Sequence, residues 1–266
     1  MKGLIGFAYV DPSNIVASDA SCERLASISN DLGVTAVPSN IEVARQADAL
    51  FLAVKPQVIS GVLLELRGMI RPGSIIVTLA AGIELNYVET MLGEEVKVMR
   101  IMPNTPCSLG AGAIAFCLGK HIDAADAGWL LELLRKMAVV VEIDESLMNS
   151  VTALSGSGPG FVYTVIEALA DGGVRIGFRK DQALILAAQT VLGAAKMVLE
   201  TGEHPAKLRD MVTSPGGTTI AGLHAMERGG VRGALMDAVV AAAERAGSLG
   251  STSTKKAQRG NEKTTE

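Results

Sequence analysis

Aromatic side chains are scarce in this chain, five Phe, three Tyr and one Trp in 266 residues, yet 48% of the residues are hydrophobic. The interior must therefore be built from Ala, Val, Leu, Ile and Met, a composition that suits packed helices and buried parallel strands. Cysteine is also rare. Cys22, Cys107 and Cys117 are odd in number and form no CxxC pair, so they read as reduced thiols of a cytosolic protein. The three histidines, His121, His204 and His224, have no spacing that suggests a metal site, and a surface or packing role is expected for each. Neither sign of charge dominates: 24 basic against 28 acidic side chains leave a net charge of −4. Such a chain has no field to hold a nucleic-acid backbone or an anionic membrane. A signal peptide's basic and apolar regions are missing from the first residues, and no apolar run near 18 residues bounded by charge is evident. The expected location is the cytoplasm, with no nucleic-acid or membrane partner.

What is present falls into two halves, as the length also suggests. From residue 14 to about 143, short apolar runs alternate with amphipathic segments, the pattern of parallel strands joined by helical crossovers. Strands are expected at 14–18, 49–54, 74–79, 97–102 and 139–143, with a minor one at 34–36. Ser39 and Glu42 form a capping box that opens a helix reaching Gln46, and Pro56 closes one strand while starting the next helix. The fold class is α/β, a Rossmann-like doubly wound parallel sheet, in which ligands sit beyond the carboxyl ends of the strands. Those ends are Ser18, residues 54–56, 79–82 and 102–106.

After Glu145 the strand signals stop. Ala- and Leu-rich stretches at 160–174, 181–200 and 230–247 predict an all-helical second domain. Residues 183–199 are apolar nearly all round, with Gln189 and Lys196 as the few polar interruptions, which predicts a buried subunit interface. The domains expected are 1–144, 145–247 and a disordered tail at 248–266, where Ser, Thr, Lys, Gln and Gly follow one another without periodicity.

The most chemically informative stretch is Thr213-Ser214-Pro215-Gly216-Gly217-Thr218-Thr219-Ile220. Pro215 fixes its φ, the two glycines turn freely, and the following amides point outward at the positive end of a helix dipole. A small carboxylate fits there, with the hydroxyls of Ser214, Thr218 and Thr219 beside it. An ordinary helix cap after a turn is the plainer alternative.

Three loops in order, Met102-Pro103-Asn104-Thr105-Pro106, Ser155-Gly156-Ser157-Gly158-Pro159 and the stretch from Thr213 to Thr219, resemble those of the pyrroline-5-carboxylate reductases. The phrases Leu52-Ala53-Val54-Lys55-Pro56 and Ala80-Ala81-Gly82 extend the resemblance, which covers nearly everything from Leu4 to Leu249. It implies a Rossmann-type domain binding NADPH or NADH, a helical dimerisation domain, and hydride transfer to the cyclic imine of 1-pyrroline-5-carboxylate. By the same resemblance Ser214, Gly216, Gly217 and Thr218 are carboxylate ligands, and Thr219 is the catalytic residue whose hydroxyl approaches the ring nitrogen. The cofactor residues implied are Ser18, Asn40, Val54, Lys55, Pro56, Ala80, Ala81 and Asn104. Asn40 falls near the adenosine ribose and its 2′-phosphate. Ser18 stands where strict NAD binders often carry an acid, so its neutrality favours NADPH, although Asp19 follows at once. A homodimer is the minimum assembly implied, and a ring of dimers the larger one.

One departure matters. Members of that family open with a strand and a GxGxxG-like turn for the pyrophosphate, whereas Met1-Lys2-Gly3-Leu4-Ile5 matches the end of the first helix, about twenty residues later. The expectation is an N-terminally truncated domain with exposed strand edges and a reduced phosphate cradle. The alternative is a non-catalytic helical dimer that binds proline-like carboxylates without nucleotide. A third reading, a two-domain dehydrogenase of hydroxy acids, would need a catalytic Lys or His in the helical half, where Lys196 is the candidate on the long helix.

Overall fold

In a computed structural model, which describes residues 1–93 and 95–262, the chain divides into two compact units. One comprises Met1–Ser157 with Ala242–Glu266, the other Gly158–Ala241.

In chain order the first unit contains α1 (Lys2–Gly6), β1 (Val16–Ala17), α2 (Cys22–Leu32), β2 (Thr35–Ala36), α3 (Asn40–Ala44), β3 (Ala49–Leu52) and α4 (Ile59–Leu66). Then come β4 (Ile75–Thr78), α5 (Leu85–Leu92), β5 (Lys97–Pro103), β6 (Gly112–Leu118), α6 (Ala124–Arg135), β7 (Ala138–Glu142) and α7 (Met148–Val151). Local chemistry sets many of the boundaries. Ser21, Ser39 and Asp123 accept backbone N–H bonds at the starts of α2, α3 and α6. Gly33, at φ 71°, ends α2.

Strands β3 to β7 lie side by side in chain order as one sheet, and β1 pairs with β2 as a second, parallel one. Within these ladders β1 pairs only with β2, and β3 only with β4, so each presents an edge. β3, β4 and β5 run parallel. The sequence reading missed β6, which runs antiparallel to β5 in the register Ile101 opposite Phe116. Its Gly112, Ala113 and Ala115 are poor strand formers and hide the period-two pattern. A 3₁₀ turn at Thr105–Leu109, ended by Gly110, reverses the chain before β6. β7 is parallel to β6 and so opposes the first three strands.

Residues alternate between the two faces of this sheet. Val98 and Met102 of β5 join Leu63, Leu66 and Val88 in one core, while Met99 and Ile101 join Leu130 and Leu134 in the other. Each such aliphatic side chain contributes about 1.5–3 kcal/mol when fully buried. Met148 of α7 is fully buried in the first core. The compact unit that includes Met148 runs on to Ser157.

The second unit is helical: α8 (Gly158–Arg175), α9 (Lys180–Thr201), α10 (Pro205–Met211), α11 (Thr218–Arg228) and α12 (Val231–Glu262), which continues into the first unit's share of the chain. α8 and α9 pack through Ile166, Ala170, Ala183 and Ala187. This small contact leaves Ile185 69% and Leu199 71% exposed. α9 is long and apolar enough to cross a membrane, with mean hydropathy 1.5 and 11% of the apolar stretch buried. The reading that no such run exists is corrected here, since over 183–199 the polar interruptions are Gln189, Thr190 and Lys196 alone. Over the tail expected from 248, α12 continues to Glu262. Lys255, Lys256, Ala257, Gln258 and Arg259 are good helix formers and extend a helix already nucleated. Residues 263–266 lie outside the described residues.

Candidate functional site

The parallel course of β3, β4 and β5 delivers three loops to the same edge of the sheet. Val54, Lys55 and Pro56 follow β3; Val54 packs against the core and Lys55 is exposed. Ala80 and Ala81 follow β4, the first buried and the second half-buried. Ala80 donates its N–H to Thr78 Oγ1 at 3.4 Å, and Gly82 turns the chain at φ 73°. Asn104 follows β5 and is held at three points. Its Nδ2 donates to the Ser155 carbonyl at 3.2 Å, while its Oδ1 accepts from Ala113 N–H at 2.9 Å and from the Cys107 thiol at 3.9 Å. Thus Asn104 joins the end of β5 to β6 and to the π-helical turn Thr152–Gly156. Burial raises the Cys107 thiol pKa above its usual range.

At the end of β1, Ser18 Oγ donates to Asn40 Oδ1 at 2.7 Å, so the two predicted ribose residues touch. Asn40 Nδ2 in turn donates to Glu65 on α4 at 2.8 Å. Sequence reasoning did not name Glu65, since it stands 25 positions from Asn40 and carries no local motif.

A second unforeseen network lies under the loops. Arg100 of β5 is 2% exposed and donates to Glu145 Oε1 at 3.1 Å and to Asn149 Oδ1 at 3.3 Å. The same Glu145 oxygen accepts the Leu85 N–H at 2.6 Å, where no other side chain caps α5. Burial, with the Glu145 charge second, raises the pKa of the adjacent Cys117 thiol to about 11.

In the second unit, residues 213–217 form a tight turn before α11. Gly216 has φ 68°, a region costly for other residues. A Cβ at Gly217 would lie 2.3 Å from Ser214 Oγ, so the backbone there comes close to the serine hydroxyl. Gly217 is the N-cap of α11 and supplies no side-chain cap. The first-turn amides, those of Thr218 and Thr219 among them, therefore have no intrahelical acceptor. Thr219 is half-buried, whereas Ser214 and Thr218 are exposed. An uncapped N-terminus of this kind favours an anion.

Two further candidates have structural employment. His204 Nδ1 accepts the Ala206 N–H at 3.2 Å and so caps α10. Lys196 is a solvated partner of Glu200 at 3.4 Å, one turn along α9, and no feature here favours the hydroxy-acid reading.

Small residues and a carboxamide beyond the carboxyl ends of the parallel strands β3, β4 and β5, with a glycine-rich turn opening a helix in a separate helical unit, define a Rossmann-like oxidoreductase with a helical second domain. Comparison with known proteins narrows the class. The family described as pyrroline-5-carboxylate reductase dimerisation matches residues 145–249. The family described as NADP oxidoreductase, coenzyme F420-dependent, matches residues 2–82. The pyrroline-5-carboxylate reductase of Methanosarcina acetivorans is 46% identical over 250 residues, 94% of this chain and 93% of the relative. That of Pisum sativum is 42% identical over 248 residues, 93% of this chain and 90% of the relative. Among solved structures, the Coxiella burnetii enzyme superposes with a TM-score of 0.84 at 34% identity, covering 93% of each chain. The Plasmodium falciparum enzyme with NADP bound gives 0.82 at 30% identity, covering 94% of this chain and 92% of that one. The chain belongs to the pyrroline-5-carboxylate reductase family, and its helical unit carries that family's dimerisation domain.

Proposed function

We propose that this protein reduces 1-pyrroline-5-carboxylate to L-proline with NADPH or NADH, the last step of proline biosynthesis. The observation that carries the reading is the uncapped N-terminus of α11 behind Ser214, Gly216 and Gly217, in a chain whose relatives bear that enzyme's name. The substrate is a small ring with one carboxylate and one C=N bond. The first-turn amides of α11 bind the carboxylate, with Ser214 and Thr218 adding hydroxyl donors. Thr219 Oγ1 lies on the same turn and holds the ring nitrogen, so the substrate is gripped at two points and its imine carbon is oriented.

The residues of the first unit fit a nicotinamide dinucleotide. Ser18 and Asn40 offer neutral polar groups suited to a ribose, and Ala80 and Ala81 leave room for a flat ring. Val54, Lys55, Pro56 and the pinned Asn104 complete that wall. When bound, the reduced nicotinamide supplies a hydride to the imine carbon, and a proton on nitrogen completes the amine. The apolar length of α9 is covered by a second copy, giving a homodimer that assembles into a larger ring; the free thiols Cys22, Cys107 and Cys117 suit the cytoplasm.

Steady-state kinetics of Thr219→Ala tests the assignment. Turnover falls about 10²-fold or more, in the range of a lost transition-state hydrogen bond, with the dinucleotide KM unchanged. Full activity in that variant refutes the role of Thr219.

A further inference from the structure

We infer that Ser18, Asn40 and Glu65 form a directional hydrogen-bond relay that makes this chain select the unphosphorylated ribose of NADH over the 2′-phosphate of NADPH. The inference rests on the placement of the adenosine ribose at Ser18 and Asn40 proposed above.

Its direction follows from donor chemistry. A carboxylate only accepts hydrogen bonds, so Asn40 turns its Nδ2 to Glu65, at 2.8 Å. The Asn40 Oδ1 then faces Ser18 and accepts the hydroxyl proton at 2.7 Å. Ser18 has one proton to give, and it is committed. What Ser18 Oγ still offers a ligand is lone pairs. A ribose 2′-hydroxyl donates to a lone pair. A 2′-phosphate is close to dianionic at neutral pH and presents acceptors, so it meets lone pairs with lone pairs and adds its charge beside that of Glu65.

The neighbouring charges do not reverse this. Asp19 accepts the Ser21 N–H at 2.8 Å and stands 3.5 Å from the exposed guanidinium of Arg24, so a carboxylate lies beside that cation. For Ser18 to donate to a phosphate it must leave Asn40 Oδ1, at a cost of about one hydrogen bond, roughly tenfold in affinity. The neutrality of Ser18 alone favoured NADPH; the acid is supplied instead from α4, one amide away.

Direct binding to the full chain tests the relay, with Kd for NADH and for NADPH measured by titrating the fluorescence of the reduced nicotinamide. The expected ratio Kd(NADPH)/Kd(NADH) is about ten or more. Glu65→Gln keeps the size of the side chain but can donate as well as accept. Asn40 can then reverse and release the Ser18 proton outward, so the ratio falls about tenfold with Kd(NADH) little changed. Preference for NADPH in the unsubstituted chain, or an unchanged ratio in Glu65→Gln, overturns the relay. Should Ser18→Ala and Asn40→Ala leave both constants untouched, or should the unsubstituted chain bind neither dinucleotide, the ribose placement itself fails.

Discussion

Removing Glu145 should cost this protein far more than removing the buried arginine it serves. Arg100 is 2% exposed, and among the described residues Glu145 is its one carboxylate partner, at 3.1 Å, with Asn149 adding a neutral bond. Arg100 Nε already lacks a partner among the described residues. Glu145→Ala leaves a guanidinium buried and uncompensated, a loss of about 3–5 kcal/mol for a fully buried pair. The Glu145 side chain is 31% exposed, which places this pair at the lower end, about 3 kcal/mol. The Leu85 N–H loses its cap at the same time, adding about 1 kcal/mol. Arg100→Met removes the charge with its desolvation cost and leaves Glu145 bonded to Leu85 and reachable by water, so it should cost about 1 kcal/mol. The double variant then costs about 2 kcal/mol, and the pair couples by at least that much. Urea titrations followed by far-ultraviolet circular dichroism, compared at constant m-value, read these differences. Equal losses in the two single variants, or additivity within about 0.5 kcal/mol, would refute the reasoning.

Other outcomes follow from the same geometry. Gly217→Ala forces a Cβ to within 2.3 Å of Ser214 Oγ, so the serine moves and the substrate KM rises about tenfold or more while dinucleotide affinity stays constant, as kinetics and binding titrations would show. The Cys117 thiol, held at about 11 in the folded chain against an ordinary value of 9.0, makes the folded state the better proton binder between those values. Stability therefore falls as pH rises through that window, and Cys117→Val flattens the decline in thermal melts measured across it. On α9, where Leu192 is 58% exposed in the single chain, Leu192→Glu buries a charge at the proposed subunit contact and should shift the chain to monomer in sedimentation experiments. An unchanged dimer would place the interface elsewhere.

Local chemistry made part of this structure legible. Alternating apolar runs located β3, β4, β5 and β7, and the Ser-Pro-Gly-Gly turn announced the start of α11 because proline and glycine act on the backbone where they stand. β6 was illegible because alanine and glycine in a strand carry no distinguishing period. α10 was missed as well, being short and capped by a histidine side chain. The Glu65 relay and the Arg100 network span 25, 45 and 49 positions. Only the folded sheet brings their members together, and no spacing rule along the chain points to them. The stretch at 248–262 shows the opposite case: its composition lacks a core-forming face, and it continues a helix begun at Val231.

Transfer of a labelled hydride tests the central claim most directly. The chain is incubated with 1-pyrroline-5-carboxylate and NADH or NADPH carrying deuterium at both C4 positions of the nicotinamide, and the product is analysed by mass spectrometry and NMR. The account predicts proline with one deuterium on the δ-carbon, the former imine carbon. Unlabelled proline, or no oxidation of either dinucleotide, would contradict it.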